Sequence, residues 1–221
     1  MKVTTLSEPF PHLIVDEVYE DHELELIWEE FKFFNKPGKL QPPERYGGVM
    51  GRTNAKAIAL SDIFSGRKRC MSNILNLERP LMERLIPYLK AWRDSHYSIK
   101  HIPSPERTYT KLRYYYDGEG YGTHVDKPFA YIIFSYFYKE PKKFTGGQLF
   151  FEDFDYEFPC NNNSLIVIPP YVAHGVRTVN IDENDYYAGN GRYAITTFVD
   201  YHRLNGLNAN DDYEGQKVDS V

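Results

Sequence analysis

No stretch of the 221-residue sequence approaches the roughly 20 consecutive apolar residues of a membrane-spanning helix. The opening MKVTTLSEPFPHLIVDE lacks the basic and apolar blocks of a secretory signal. Cysteine is scarce: Cys70 and Cys160 are too few for a disulfide framework or a thiolate zinc site. These absences lead us to expect a soluble, cytoplasmic protein that does not use a membrane as partner. An excess of positive charge is missing too, since 26 Lys and Arg face 31 Asp and Glu for a net charge of -5. A general attraction to phosphate backbones is therefore absent, and nucleic acid is not an expected partner.

Aromatic residues are what the chain has in plenty. Nineteen Tyr and 14 Phe, with 15 Gly and 14 Pro, favour strands and tight turns over a helical bundle. The length suits a single domain with its own core. The expected layout is a strand, helices and loop over residues 1–106, a β core over 107–202 and a polar tail over 203–221.

Residues 9–18 read as a short strand and turn, with Asp21 placed to cap the helix behind it. Leu24, Ile27, Trp28, Phe31 and Phe34 then recur at helical spacing. Residues 36–56 are dense in Gly and Pro without a period and predict a long loop or loose hairpin, a candidate lid. Helical spacing returns over 61–92 in two segments, with Pro80 in the first turn of the second and Pro87 expected to kink or end it. From residue 107 the period becomes strand-like, with candidate strands at 107–116, 121–125, 130–138, 148–151, 164–168, 174–179 and 192–201. That order predicts a mainly β chain: an antiparallel sandwich or jelly roll packed against N-terminal helices.

The chemistry-bearing residues are His124 and Asp126 in YGTHVDKPF, His174 in IPPYVAHGV and Arg192 in GNGRYAITTF. Residues two apart on a strand project from one face with α-carbons about 6.5–7 Å apart, so His124 and Asp126 can share a metal. His174 from a distant strand would complete a face of two imidazoles and one carboxylate, the set that suits non-haem Fe(II). Read singly, each has a plainer role. Asp126 also fits the start of a Lys127-Pro128 turn, His174 a hydrogen-bonded strand entry, and Arg192 a surface arginine after a turn.

In sequence, LRYYYDGEGYGTHVD, IIFSYFYKE, GGQLFFED, SLIVIPPYVAHGV and GRYAITTFVDY resemble the prolyl 4-hydroxylase-like branch of the Fe(II) and 2-oxoglutarate-dependent dioxygenases over residues 109–201. The resemblance implies a double-stranded β-helix (jelly roll) core flanked by helices, with Fe(II) held by His124, Asp126 and His174. It further implies 2-oxoglutarate as co-substrate, its far carboxylate on Arg192 with Arg177 in reserve, and O2 as oxidant. Ascorbate is a further ligand implied in the same way. Tyr115 and Tyr121 match the family's Y-x-x-G-x-x-Y-x-x-H spacing and Tyr136 the tyrosine of the following strand, which makes them candidates to assist the carboxylate. Gly146 and Gly147 are expected to turn the chain before a core strand. The implied reaction is hydroxylation of an unactivated C–H bond, with a prolyl residue of a peptide or protein as leading substrate.

Other readings stay open. A free amino acid, another side chain or a small molecule suits similar scaffolds. Nucleobase-directed relatives carry a second arginine where this chain has Phe198. A cupin-like metal or small-molecule binding module without oxygenase activity would also gather histidines in a barrel, although such modules lack the Arg192 element. Residues 180–191 lengthen the connection between His174 and Arg192, and we expect this insertion and the 36–56 loop to border the iron mouth.

Overall fold

The computed structural model describes residues 1–46, 52–100, 107–126, 129–182 and 185–200. In chain order the strands are β1 (Lys2–Leu6), β2 (His12–Asp16), β3 (Lys56–Ala59), β4 (Arg107–Tyr115), β5 (Tyr121–His124) and β6 (Tyr131–Phe137). They continue with β7 (Leu149–Phe151), β8 (Tyr156–Phe158), β9 (Ser164–Ile168), β10 (His174–Val176) and β11 (Arg192–Asp200). The helices are α1 (Asp21–Phe34), α2 (Leu60–Ile63) and α3 (Asn73–Ser95). Two antiparallel sheets form the expected double-stranded β-helix, a larger one ordered β1-β2-β9-β6-β11-β4-β3 and a smaller one ordered β5-β10-β7-β8. Residues 127, 128 and 203–221, where a turn and a polar tail are expected, lie outside the described residues.

The central strands of the larger sheet are apolar on both faces because each face meets its own core. Along β11, Tyr193, Ile195 and Val199 join Leu165 and Val167 of β9 beneath the helices. Alternating with them, Ala194 and Phe198 join Ile166 and Ile168 on the face turned to the smaller sheet, where Tyr115, Tyr121, Tyr136 and Phe151 also sit. The period-2 alternation of side chains sorts one sequence into two cores. The second lies inside the barrel and is the one that surrounds the site.

Helix α1 presents Ile27, Phe31 and Phe34 to the first core, and Phe31 stacks on Tyr193 with ring centres 4.5 Å apart. Its N-cap is Glu20 rather than Asp21: Glu20 and Glu23 form a reciprocal capping box that leaves Asp21 as the first helical residue. Helix α3 corrects a second expectation. It runs unbroken through Pro80 and Pro87, where two segments are predicted from the sequence. Leu77, Leu81, Leu85, Leu89 and Trp92 line its buried stripe. The carbonyls that the two prolines leave unbonded belong to Asn76 and Glu83, both on the exposed side of the helix. Packing of the opposite face outweighs the proline penalty. Glu23 clasps Arg84 through two bonds of 2.8 and 3.1 Å, tying α1 to α3.

The sequence reading omits three short strands, β1, β3 and β8, and places Ile63 and Met71 on an apolar face where the structure exposes them. The 36–56 stretch contains a 3-10 turn at Pro43–Tyr46 and ends by entering β3. Among the described residues no helix is long and apolar enough to cross a membrane.

Candidate active site

His124 ends β5 and His174 begins β10, and the two are direct partners across the antiparallel pair. Facing positions put both imidazoles on one side of the smaller sheet, with ring centres 4.5 Å apart. Asp126, two residues on, turns into the same space. Its Oδ1 lies 3.7 Å from His124 Nε2 and its Oδ2 3.3 Å from His174 Nε2. One ligand atom from each of the three falls within 4.8 Å of the others.

Both histidines are oriented from behind. His124 Nδ1 is 2.9 Å from the Gly122 carbonyl, and His174 Nδ1 is 2.9 Å from the Val172 carbonyl. A carbonyl only accepts, so each Nδ1 carries the hydrogen and each Nε2 offers its lone pair to the site. Among the described residues His174 Nε2 is buried without a hydrogen-bond partner, its 3.3 Å approach to Asp126 Oδ2 being a charge contact. Burial pushes the His124 pKa down to about 4, against the attraction of Asp126. For Asp126, burial acts upward, but the adjacent His174, His124 and Arg113 outweigh it and hold the carboxyl well below the usual range. Neutral imidazoles and an ionised carboxylate are the states that bind a divalent cation. An orphaned nitrogen and three converging donors fit such an ion.

Arg192 opens β11 opposite Tyr115 of β4 and is 2% exposed. Its guanidinium carbon lies 4.7 Å from the centre of the Tyr115 ring and 4.6 Å from that of Tyr136. Nε and Nη1 of Arg192 and the hydroxyl of Tyr136 are buried with no hydrogen-bond partner among the described residues. Two unsatisfied donors on a buried cation and a third from the adjacent tyrosine fit an anion, since leaving such groups unpaired is costly. Gly147, at φ +75°, closes the turn beside this anchor, where a Cβ would stand 2.8 Å from Arg192 Cδ. Its neighbour Gly146 has φ +76°, so the expected turn is present.

Of the tyrosines, Tyr115 and Tyr136 flank Arg192, whereas Tyr121 is stacked on His124 with centres 3.9 Å apart. Arg177 is exposed and paired with Glu157 at 2.6 Å, outside this cluster. Phe198 is buried inside the barrel against Phe129.

Residues 52 and 53 run beside β5, the Arg52 carbonyl accepting from Gly122 N at 2.7 Å, so the end of the 36–56 loop does border the site. The described part of the 180–191 insertion does not. Tyr186 packs on Tyr114 beneath the helices, and Asn35 donates to the Tyr187 carbonyl at 3.0 Å. That segment follows the Arg192 end of the barrel because β10 leads away from His174 before the insertion begins.

Three site residues escape the sequence reading. Cys160 places its sulfur 3.9 Å from Arg192 Nη2, and a lone cysteine carries no spacing signal. Lys111 and Arg113 stand on the inner face of β4 with Tyr115, and that alternation of cations and tyrosines, visible in RTYTKLRYY, is the signal that could have found them.

No protein-family model matches the chain, and no curated protein matches it in sequence. Solved structures do match in fold. A Pseudomonas putida prolyl-4-hydroxylase superposes with a TM-score of 0.58 at 15% identity, covering 87% of this chain and 93% of that one. The viral collagen prolyl hydroxylase of Paramecium Bursaria Chlorella virus-1, in its 2OG complex, gives 0.52 at 13% identity over 86% of this chain and 96% of that one. The non-heme alpha ketoglutarate dependent epimerase SnoN from nogalamycin biosynthesis gives 0.51 at 12% identity over 95% and 87%. In its double-stranded β-helix, which carries an HxD…H triad, the chain is a structural match to the prolyl 4-hydroxylases and 2OG-Fe(II) oxygenases.

Proposed function

We propose that the chain is an Fe(II)- and 2-oxoglutarate-dependent dioxygenase that hydroxylates an unactivated C–H bond. One observation carries this reading: a face of two imidazoles and one carboxylate shares its barrel with a buried arginine, two of whose donors have no partner among the described residues. A cupin-like binding module accounts for the first of these features but not the second.

His124, Asp126 and His174 would hold the iron, which with 2-oxoglutarate and dioxygen supplies the oxidising chemistry when bound. Arg192 would receive the far carboxylate of 2-oxoglutarate, its planar fork donating paired hydrogen bonds while Tyr136 donates a third. The hydrogen bonds to Gly122 and Val172 keep the imidazole lone pairs aimed inward. Phe134, 5.1 Å from His174, and Phe151 wall the site with apolar rings and keep water from it.

A prolyl residue is the substrate that the motif order puts first. The matched folds include an epimerase beside the prolyl hydroxylases, so fold does not select between proline and other C–H donors. The test is succinate formation from 2-oxoglutarate by the purified chain with Fe(II), together with metal titration. Asp126→Ala removes the charged ligand and is expected to lower both metal affinity and turnover by more than about 100-fold. Conversion by the variant at the native rate would overturn the assignment.

A further inference from the structure

The inner face of β4 carries Tyr109, Lys111, Arg113 and Tyr115 in succession. Lys111 is 1% exposed and Arg113 5%. Placing two long basic side chains inside a barrel is costly where a Leu or Val would pack without desolvating a charge. The neighbouring strands are shaped around them. Arg113 is flanked across the sheet by Ala57 of β3 and Ala194 of β11, and Lys111 by Ala59 and Thr196. Small residues on both sides accommodate the two long side chains where leucines would crowd them.

Arg113 looks toward the ligand triad. The Arg113 guanidinium lies 5.1 Å from the centre of the Tyr121 ring, which is itself stacked on His124. Its charge is felt at both Asp126 and His124. Lys111 Nζ donates to the Tyr46 carbonyl at 2.6 Å and so also holds the chain just before residue 47. Arg192, by contrast, is two residue pairs further along, at the far end of the same face. One end of the inner face thus offers a cation for a co-substrate, and its middle offers a second beside the metal ligands.

We propose that Arg113 binds a carboxylate of the substrate, so that the carbon presented for reaction belongs to an amino acid, an N-acyl amino acid or a C-terminal residue rather than to the interior of a peptide. The planar guanidinium suits a carboxylate through paired, charge-assisted hydrogen bonds. This inference rests on the reading of the site given above and narrows its substrate class.

The test is calorimetric titration of the full chain, loaded with Mn(II) and 2-oxoglutarate, using N-acetyl-L-proline and N-acetyl-L-prolinamide. These probes differ in one carboxylate. The acid is expected to bind about tenfold tighter than the amide or better, Arg113→Gln to bring the ratio close to one, and Arg113→Lys to retain part of it. Because each ratio is taken on one preparation, a misfolded fraction cancels from it. Equal binding of the two probes, binding of neither, or a ratio that survives Arg113→Gln overturns the proposal. Binding of 2-oxoglutarate to the Mn(II)-loaded chain is measured first. Its absence removes the reading of the site and this inference together, while its presence with an acid-to-amide ratio of one removes this inference alone.

Discussion

Tyr136 shows how a single residue serves the bound state at the expense of the free one. Its hydroxyl is buried on the inner face of β6 with no hydrogen-bond partner among the described residues, and burial pushes its pKa well above the ordinary tyrosine value. An unpaired buried hydroxyl destabilises the fold, whereas the same group facing a carboxylate gains a charge-assisted bond. Tyr136→Phe is therefore expected to change two measurements in opposite directions. The ligand-free chain should become more stable by about 1 kcal/mol in denaturant titration, while 2-oxoglutarate binding should weaken about tenfold. A variant that loses stability without losing affinity would make this tyrosine a packing residue only.

Among the elements, α3 is where local preference and packing disagree most. Pro87 is exposed and removes a donor that the Glu83 carbonyl would otherwise receive. Pro87→Ala should raise the unfolding free energy by about 1 kcal/mol, the regained helical bond outweighing the looser unfolded chain. An unchanged or lower melting temperature would show the proline to be preferred in its place. The same helix marks the limit of what the sequence displays. The strands of the core were legible because alternation of β-branched and aromatic residues survives in 107–116, 164–168 and 192–201, and the triad was legible because His124 and Asp126 share a strand face. The continuity of α3 was not, since nothing local announces that Leu81, Leu85 and Trp92 find a core strong enough to override two prolines. β3 was missed because its four residues follow a Gly-rich stretch and gain their order only by pairing with β4. Arg113 was passed over because a charged residue in a strand ordinarily faces solvent, and only the second sheet makes both faces of β4 interior.

For the molecule as a whole, a sheet with a core on each side makes total stability sensitive to what is buried between the layers. Burial, reinforced by the neighbouring Arg113, pushes the Lys111 pKa down from 10.5 to about 7. Between those values the unfolded chain holds a proton that the folded chain has released, so stability rises with pH across the window and levels off below about 7. Unfolding free energies at pH 7.5 and 9.5 should show that slope, and Lys111→Met should flatten it; an equal slope in the variant would assign the effect elsewhere. The smaller sheet has a different dependence. Its two imidazoles stand at facing positions on strands of four and three residues, so an ion held between them pins the alignment of those strands, and a slip by one residue would swing either ring out of reach. Chelation would then act as a clasp on the sheet. Adding Mn(II) should slow amide hydrogen exchange at Thr123, His124, His174 and Gly175 and leave the outermost strand β1 as it was.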